Sequence, residues 1–333
     1  MNILISSHAF YPSIGGIETV SNVLAGEFVS RGHEIVVVTQ TLNSERDDFP
    51  FRVTRRPKMR ELLSLVKWCD VVWQNNLSLR TLWPICLSRR PVVVTHAGSY
   101  CVPQSRWDWR TRVKQRFASM TTGVAISSYV ANCIDSKAER IPNPFNSNIF
   151  YHRGDVQQSN DLIFVGRLIQ EKGVDLLLDA MHILTQHGFK PALTIVGDGP
   201  YRDNLETRTR TLELKNVVFL GAKNPRETAG LLQTHKILVV PSCYEAFGIV
   251  AVEGIACGCR VLASEVGGLP DAVGPCGRTF PNGDPVKLAH ILMEMLSEAK
   301  PSGWREMAEH HVSQFKADVV ADRYLALFSS LCR

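Results

Sequence analysis

The sequence predicts an α/β protein built from two similar units, each with a parallel sheet covered by helices on both faces. Three observations indicate this fold class. Short, strongly apolar runs alternate with stretches of helical periodicity, as expected where helices join parallel strands. The same alternation begins again near Asp161. A chain of 333 residues also exceeds what one ordinary hydrophobic core contains.

In the first half, apolar runs predict strands at Asn2–Ser6, Glu34–Gln40, Asp70–Gln74 and Pro91–His96, and periodicity predicts a helix over Gly16–Arg31. In the second half, the predicted strands are Leu162–Gly166, Ala192–Val196, Val217–Leu220, Ile237–Val240 and Arg260–Ala263. Helices are predicted there at Gly173–His187, 286–299 and 303–328.

The segment Ile141–Asn148 is rich in Pro and Asn, which is typical of a linker between domains. We therefore expect a first domain in residues 1–145, a second in 146–315 and a final helix in 316–333. The two domains are expected to face each other across a cleft. Ligands of such sheets bind outside the carboxyl ends of the strands, so those loops should carry the chemistry.

Composition indicates a globular protein, with 45% hydrophobic and 21% charged residues. No apolar run approaches the roughly 18 residues that a membrane-spanning helix needs. The first residues predict a strand rather than a signal peptide. The nine cysteines are scattered, and we expect them to be reduced thiols of a cytosolic protein.

Basic charge is concentrated in the first half of the chain. Residues 1–150 contain 18 Lys/Arg and 11 Asp/Glu, a net charge of +7, whereas the remainder has a net charge of −2. A basic face indicates an anionic partner. On a helix over residues 105–120, one apolar stripe bordered by cations would contain Trp109, Val113, Phe117 and Met120. That pattern fits contact with an anionic membrane surface, and equally a helix packed on its own domain.

Gly15 and Gly16 lie between the first predicted strand and the first predicted helix. Paired glycines let a backbone approach a ligand closely, and the start of a helix favours anions. The spacing is not a dinucleotide-binding fingerprint. By itself, the pair is equally compatible with an ordinary strand-to-helix turn.

Arg167 follows a predicted strand, and Lys172 comes just before the next helix. Two cations at this spacing across a loop can both reach a diphosphate, Arg through two hydrogen bonds and Lys as a point charge. Such charge is needed where a nucleoside diphosphate departs. A solvated basic loop is the alternative interpretation.

The run Pro241–Glu253 places Glu245 in a loop, Gly248 at the start of an apolar helix and Glu253 inside that helix. A helix start presents free backbone N–H groups and the positive end of the helix dipole to phosphate. Carboxylates on either side suit hydroxyl groups. The arrangement fits a sugar nucleotide, with its diphosphate in the middle.

His96 ends a predicted buried strand and is followed by Ala97 and Gly98. At that end of a parallel strand it could hydrogen-bond a sugar hydroxyl or an oxygen at the reacting centre, although a structural histidine is the alternative. No His, Cys, Asp and Glu residues have the spacing of a metal site, so no metal is expected.

Taken together, these motifs resemble glycosyltransferase family 4, the retaining GT-B enzymes. The matching segments run in order along the chain: Gly15–Glu18, Val165–Gly173, Val196–Pro200, Asn216–Gly221, the Glu245/Glu253 pair and Val266–Asp271. The resemblance implies two Rossmann-like domains, with the final helix returning to the first. It also implies metal-independent transfer of a hexose from a UDP-sugar or GDP-sugar, with retained anomeric configuration and no cofactor.

The resemblance also implies roles for individual residues. The catalytic set would be His96, Arg167, Lys172 and Glu245. The nucleotide-binding set would be Gly15, Gly16, Gly197, Gly248, Ile249, Val250 and Glu253. Within these sets, Arg167 and Lys172 would hold the diphosphate, and Glu253 the ribose hydroxyls.

The second domain would bind the nucleotide-sugar donor and the first a glycan or lipid-linked acceptor. Synthesis of cell-envelope polysaccharide or glycolipid is the expected setting, in the cytoplasm or at the inner face of the membrane, without nucleic acid. Three alternatives stay open: a sugar-nucleotide epimerase, a sugar-phosphate phosphorylase and a non-catalytic nucleotide-sugar-binding module.

Overall fold

The computed structural model describes residues 1–13, 15–43, 47–76, 90–97, 112, 113, 116, 119–134 and 138–332. The chain forms two compact units. Unit 1 consists of Met1–Phe145 and Phe315–Arg333, and unit 2 of Asn146–Gln314.

Unit 1 contains a seven-stranded parallel sheet. Its strands are β1 (Asn2–Ser7), β2 (Glu34–Thr39), β3 (Arg52–Arg55), β4 (Val71–Asn75), β5 (Val92–His96), β6 (Thr122–Ala125) and β7 (Glu139–Arg140). Their order across the sheet is β3-β2-β1-β4-β5-β6-β7, so β2 and β3 lie on one side of β1 and the later strands lie on the other. Among its described residues, the helices are α1 (Gly16–Ser30), α2 (Met59–Trp68) and α3 (Ser128–Cys133). Ile3, Leu4 and Ile5 of β1 are fully buried at the centre of this sheet.

Unit 2 contains a six-stranded parallel sheet in the order β10-β9-β8-β11-β12-β13. Its strands are β8 (Asn160–Val165), β9 (Leu193–Val196), β10 (Val217–Phe219), β11 (His235–Val240), β12 (Arg260–Ser264) and β13 (Gly277–Phe280). Its helices are α4 (Val174–Gln186), α5 (Arg202–Thr211), α6 (Pro225–Thr234), α7 (Ile249–Ala256), α8 (Leu269–Val273), α9 (Pro285–Ser297) and α10 (Trp304–Ser313). Short 3-10 helices lie at Gln170–Lys172 and Gly274–Cys276. The predicted α/β class with parallel sheets is confirmed.

The prediction of one continuous helix over 303–328 is wrong. The chain instead forms α10 and a separate final helix, α11 (Ala317–Leu331). Between them, Phe315 is buried, and its carbonyl accepts a hydrogen bond from the Phe145 amide at 3.0 Å. This junction is where the chain leaves unit 2 and joins unit 1.

Helix α11 is held in unit 1 by aromatic packing and a buried hydrogen-bond chain. The ring centroid of Tyr324 lies 5.0 Å from that of Trp73, and the centroid of Phe328 lies 5.8 Å from that of Phe28. Trp73 Nε1 donates to Thr95 Oγ1 at 2.8 Å, and that oxygen lies 2.7 Å from the Tyr324 hydroxyl. The polar ends of these aromatic side chains are therefore satisfied inside the core, as buried polar groups require.

The cysteines differ in state. Within the described part of the chain, Cys69, Cys243, Cys257, Cys259, Cys276 and Cys332 are free thiols. Cys133 is disulfide-bonded. The expectation that all nine cysteines are reduced is therefore wrong for Cys133.

The predicted helix over residues 105–120 lies mostly outside the described residues. Of its proposed apolar stripe, Val113 and Met120 are described, and Met120 is exposed. Contact of this segment with a membrane stays a prediction. Across the described ranges, no helix has the length and apolar character needed to cross a membrane.

Replacing Phe328 with Ala should lower the stability of the protein by about 3–5 kcal/mol, because it removes a fully buried aromatic ring from the core-facing side of α11. Ser329→Ala, at an exposed position on the same helix, is the control and should leave stability unchanged. Chemical denaturation of both variants checks this. Equal unfolding midpoints would show that α11 contributes no packing to unit 1.

Candidate functional site

Two loops of unit 2 leave the carboxyl ends of neighbouring strands. One follows β8 and carries Arg167 and Lys172, and the other follows β11 and carries Glu245. Strands β8 and β11 are adjacent at the point where the strand order of the sheet reverses. In open parallel sheets this reversal leaves a crevice at the carboxyl edge, the usual position for a ligand.

The two loops are joined through backbone and side chains. The Cys243 amide donates to the Glu171 carbonyl at 2.8 Å. One residue further along the first loop, Lys172 Nζ forms an ion pair with Glu245 Oε2. The two side chains are 27% and 20% exposed, so the pair is partly shielded from water yet open to a ligand. The sequence singled out both residues, and the structure brings them into contact.

Gly248 positions the start of α7 beside this ion pair. Its φ of 95° lies in the left-handed region that favours glycine, and a Cβ there would lie 2.5 Å from Leu269 Cδ2. The same Cβ position is 3.6 Å from Glu245 Cγ, which places the helix start next to the Glu245 side chain.

No side chain caps the N-terminus of α7. Helix α6 differs: there the Asn224 side chain accepts from the Glu227 amide, and Glu227 in turn accepts from the Asn224 amide. At α7, the Ala251 amide donates to the Gly248 carbonyl at 2.9 Å. Among the described residues, the amides of Ile249 and Val250, at the first two positions of the helix, have no hydrogen-bond acceptor.

Glu253 lies in the second turn of α7, on an otherwise apolar helix. Its side chain is half-buried and, among the described residues, has no hydrogen bond or ion pair. Burial raises the pKa of this carboxyl from 4.5 to about 7. A carboxylate in this setting gains from any ligand that donates hydrogen bonds to it, as a vicinal pair of hydroxyls does.

The remaining candidates of unit 2 occupy the same sheet edge. Arg167 is exposed, and its guanidinium makes no hydrogen bond or ion pair within the described ranges. Gly197 follows β9 with a φ of 139°, and a Cβ there would lie 1.8 Å from the Gly166 carbonyl oxygen. Gly197 therefore lets the loops after β8 and β9 pack backbone against backbone.

The candidates of unit 1 lie at the carboxyl ends of β1 and β5. Gly15 precedes α1 in extended conformation without a side-chain cap, and a Cβ on Gly16 would have no heavy atom within 4 Å. His96 is completely buried, and its Nε2 would lie 3.0 Å from a Cβ on Gly123. Burial lowers the pKa of His96 to about 4, so its ring is neutral at physiological pH. Its predicted contact with a donor sugar stays a prediction.

Sequence reasoning selected Lys172 and Glu245 but did not foresee that they pair. They are separated by 73 positions, and no local spacing reports such a contact. Within the part of the chain that the structure describes, no group of three or more His, Cys, Asp and Glu side chains could hold a metal ion.

Comparison with known proteins agrees with this geometry. Residues 148–311 match the family described as Glycosyl transferases group 1. An uncharacterized glycosyltransferase of Methanocaldococcus jannaschii is 34% identical over 180 residues, covering 52% of this chain. The chain spans about half of the length of that relative (49%).

Two other proteins match over nearly the whole chain. A GDP-mannose-dependent alpha-(1-6)-phosphatidylinositol dimannoside mannosyltransferase of Mycobacterium tuberculosis is 22% identical and covers 89% of this chain and 88% of its own. The crystal structure of Anabaena HepE with UDP and glucose superposes with a TM-score of 0.81 at 20% identity, covering 99% and 100% of the two chains. The predicted resemblance to glycosyltransferases and the GT-B fold class are thus confirmed.

Glu253→Gln should make the protein more stable at neutral pH, because it removes the cost of ionising a half-buried carboxyl. The pKa of Glu253 is 4.5 in the unfolded chain and about 7 in the folded protein. The cost of ionising Glu253 therefore increases between pH 4.5 and about pH 7 and is constant at higher pH. The gain should approach about 3 kcal/mol at high pH and vanish in acid. Denaturation at a series of pH values measures it.

Glu265→Gln is the matched control, because Glu265 is exposed on the loop after β12. The Glu265→Gln variant should be no more stable than the unsubstituted protein across the pH series. A Glu253→Gln variant whose stability parallels that of the control across the series would contradict the assigned cost.

Proposed function

We propose that this protein is a retaining, metal-independent glycosyltransferase. It transfers a hexose from a UDP-sugar or GDP-sugar to a glycan or lipid-linked acceptor in the synthesis of cell-envelope polysaccharide or glycolipid. The observation that carries the proposal is the contact between Lys172 and Glu245 beside the uncapped start of α7. It lies inside the segment that matches the glycosyltransferase family.

The donor's diphosphate binds between Lys172 and the amides of Ile249 and Val250. The ammonium group and the helix start both favour anions, and in the absence of ligand Glu245 supplies the negative charge that Lys172 requires. When the diphosphate takes that position, Glu245 is released to accept hydrogen bonds from the donor sugar. Arg167, exposed on the same loop as Lys172, adds a second cation.

Glu253 holds the ribose of the donor. The raised pKa of this carboxyl means that it is partly protonated near neutral pH, and its ionised form is the better acceptor because both oxygens can then accept from the ribose hydroxyls. Nucleotide binding thus lowers the pKa of Glu253. Donor affinity should increase as the pH rises through about 7.

The chemical step is a displacement on one face of the sugar. The acceptor oxygen forms a bond to the anomeric carbon on the side from which the diphosphate departs, as the bond from that carbon to the phosphate oxygen breaks. The departing phosphate oxygen takes the proton of the acceptor hydroxyl, so no protein side chain has to act as the base. Lys172, Arg167 and the start of α7 stabilise the charge that develops on the diphosphate.

Two relatives support a sugar nucleotide as donor. The Mycobacterium tuberculosis relative is named as GDP-mannose-dependent, and the Anabaena protein was crystallised with UDP-glucose as well as with UDP. We extend this to the present chain as a UDP-sugar or GDP-sugar donor. The basic excess of residues 1–150 supports an acceptor in unit 1 that is anionic or linked to a lipid carrier.

Lys172→Ala should reduce the rate of transfer by about 10²–10³, because it removes a cation that stabilises the departing diphosphate. Lys236→Ala is the matched control: Lys236 also pairs with a carboxylate, that of Asp161 at 2.9 Å, but lies at the amino end of β11. The measurement is turnover with UDP-glucose and GDP-mannose, together with the affinity for UDP and GDP. Equal losses in the two variants would contradict the proposal.

The same assay, run with a chelator, tests the mechanism. The proposal expects full turnover in EDTA and a product whose anomeric configuration, read by proton NMR, is that of the donor. Inversion, or loss of turnover that added metal restores, would contradict it. An epimerase would convert the nucleotide sugar without an acceptor, and a binding module would bind it without turnover.

A further inference from the structure

The carboxyl ends of the first three strands of unit 1 enclose a pocket. The loop residues directly after β1, β2 and β3 line it: His8, Ala9, Gln40, Thr41 and Arg56. These strands are consecutive neighbours at one side of the sheet, so the loops that follow them meet at the same edge. The cavity measures about 550 Å³, within the range of small-molecule sites. We call it the strand-end pocket.

Hydrogen bonds hold the backbone of the strand-end pocket in place. The His8 carbonyl accepts from the Gln40 amide at 3.1 Å and from Thr39 Oγ1 at 3.2 Å. The Arg56 amide donates to the Thr39 carbonyl at 2.8 Å. The three loops are thus tied to one another by their own hydrogen bonds, which fix the shape of the pocket.

Two adjacent arginines at the end of β3 have different partners. Arg55 forms two hydrogen bonds with Asp47, at 3.0 and 2.6 Å, and its charge is neutralised there. The side chain of Arg56 donates to the Gln40 carbonyl at 3.1 Å and has no other hydrogen bond and no carboxylate partner among the described residues. The guanidinium of Arg56 therefore brings an uncompensated positive charge to the pocket, in a half of the chain that is already basic.

The backbone of Arg56 is strained. Its φ of 46° lies in the left-handed region, which is unfavourable for a residue with a Cβ. Glycine would avoid that cost and would leave the pocket without its charge. Strained backbone conformations occur preferentially at functional sites. Arg56 combines such a conformation with a side chain that has no carboxylate partner among the described residues, and this combination indicates a binding role.

An exposed aromatic ring lies on the same loop as His8 and Ala9, which line the pocket. Tyr11, two residues after Ala9, is 47% exposed and packs edge-on against Phe49, with ring centroids 5.8 Å apart. The Phe10 amide between them donates to Thr41 Oγ1 at 3.1 Å, which ties this loop to the pocket. A tyrosine ring offers a flat apolar face and a polar hydroxyl, which suits a ring that bears hydroxyl groups.

We infer that the strand-end pocket binds the phosphate group of a phosphorylated sugar or polyol, with Arg56 and His8 as the phosphate contacts and Tyr11 against the ring. Its identification as the acceptor of the transfer rests on the proposed function, whereas phosphate binding itself does not. The phosphate can belong to a soluble sugar phosphate or to a lipid headgroup.

Binding of glucose 6-phosphate to the whole chain, measured by titration calorimetry with excess UDP or GDP to fill the donor site, tests the inference. Arg56→Gly should weaken this binding roughly tenfold to a hundredfold, as loss of a charge-assisted hydrogen bond does. Arg56→Lys should retain part of it because the charge remains. His8→Gln should weaken it less than Arg56→Gly, and unphosphorylated glucose should not bind.

Arg52→Ala is the matched control, because Arg52 lies at the other end of β3 and pairs with Glu61 at 3.3 Å. It should bind glucose 6-phosphate normally. Equal affinities of Arg56→Gly and Arg52→Ala, or equal binding of glucose and its phosphate, would overturn the inference. Since glycine suits the backbone at position 56, a failure of this variant to fold is not expected, and Arg56→Lys gives an independent reading.

Co-sedimentation with phosphatidylglycerol and phosphatidylcholine vesicles separates the two sources of phosphate. A lipid headgroup predicts binding to phosphatidylglycerol alone that Arg56→Gly reduces, and a soluble ligand predicts no such dependence while the calorimetric result stands. Phosphate binding without any transfer would leave this pocket in place and remove the proposed function. Transfer at an unchanged acceptor KM in Arg56→Gly would support the proposed function and would show that the acceptor does not bind in the strand-end pocket.

Discussion

The ion pair between Lys172 and Glu245 is the contact on which the candidate donor site depends. It joins the loop after β8 to the loop after β11, beside the start of α7. A half-buried ammonium group needs a negative partner, since an unpaired charge there would be costly. Glu245 fills that need in the absence of ligand, and a diphosphate can fill it in turn. The contact thus connects the two loops, and in the proposed function a diphosphate takes the place of Glu245 beside Lys172.

Glu253 shows the cost of such a site. Its carboxyl is half-buried on an apolar helix, and its raised pKa means that ionisation at neutral pH is unfavourable in the folded protein. A glutamine would fill the same space at a lower cost in stability. In the proposed function, ribose hydroxyl groups that donate to both oxygens offset this cost. Lost stability and gained affinity are here two consequences of one desolvated group.

The strength of the local signal explains which parts of the fold the sequence predicts. Strands β1, β2, β4 and β5 are strongly apolar, and all were predicted within one or two residues of their observed bounds. Strand β3 (Arg-Val-Thr-Arg) and the two-residue β7 lie at the sheet edges and carry charged residues, so no apolar run reveals them. The break between α10 and α11 was missed because Phe315 continues the helical pattern while its carbonyl bonds Phe145. Long-range contacts, such as that of Lys172 with Glu245, depend on the folded sheet and leave no trace in local spacing.

A crystal structure of the protein with a bound nucleoside diphosphate tests the central claim most directly. The account predicts phosphate oxygens within hydrogen-bonding distance of Lys172 Nζ and of the Ile249 and Val250 amides. It also predicts the ribose hydroxyls on Glu253, and a Glu245 side chain that has turned away from Lys172. A nucleotide bound at another edge of unit 2, with the Lys172–Glu245 pair intact, would contradict the account.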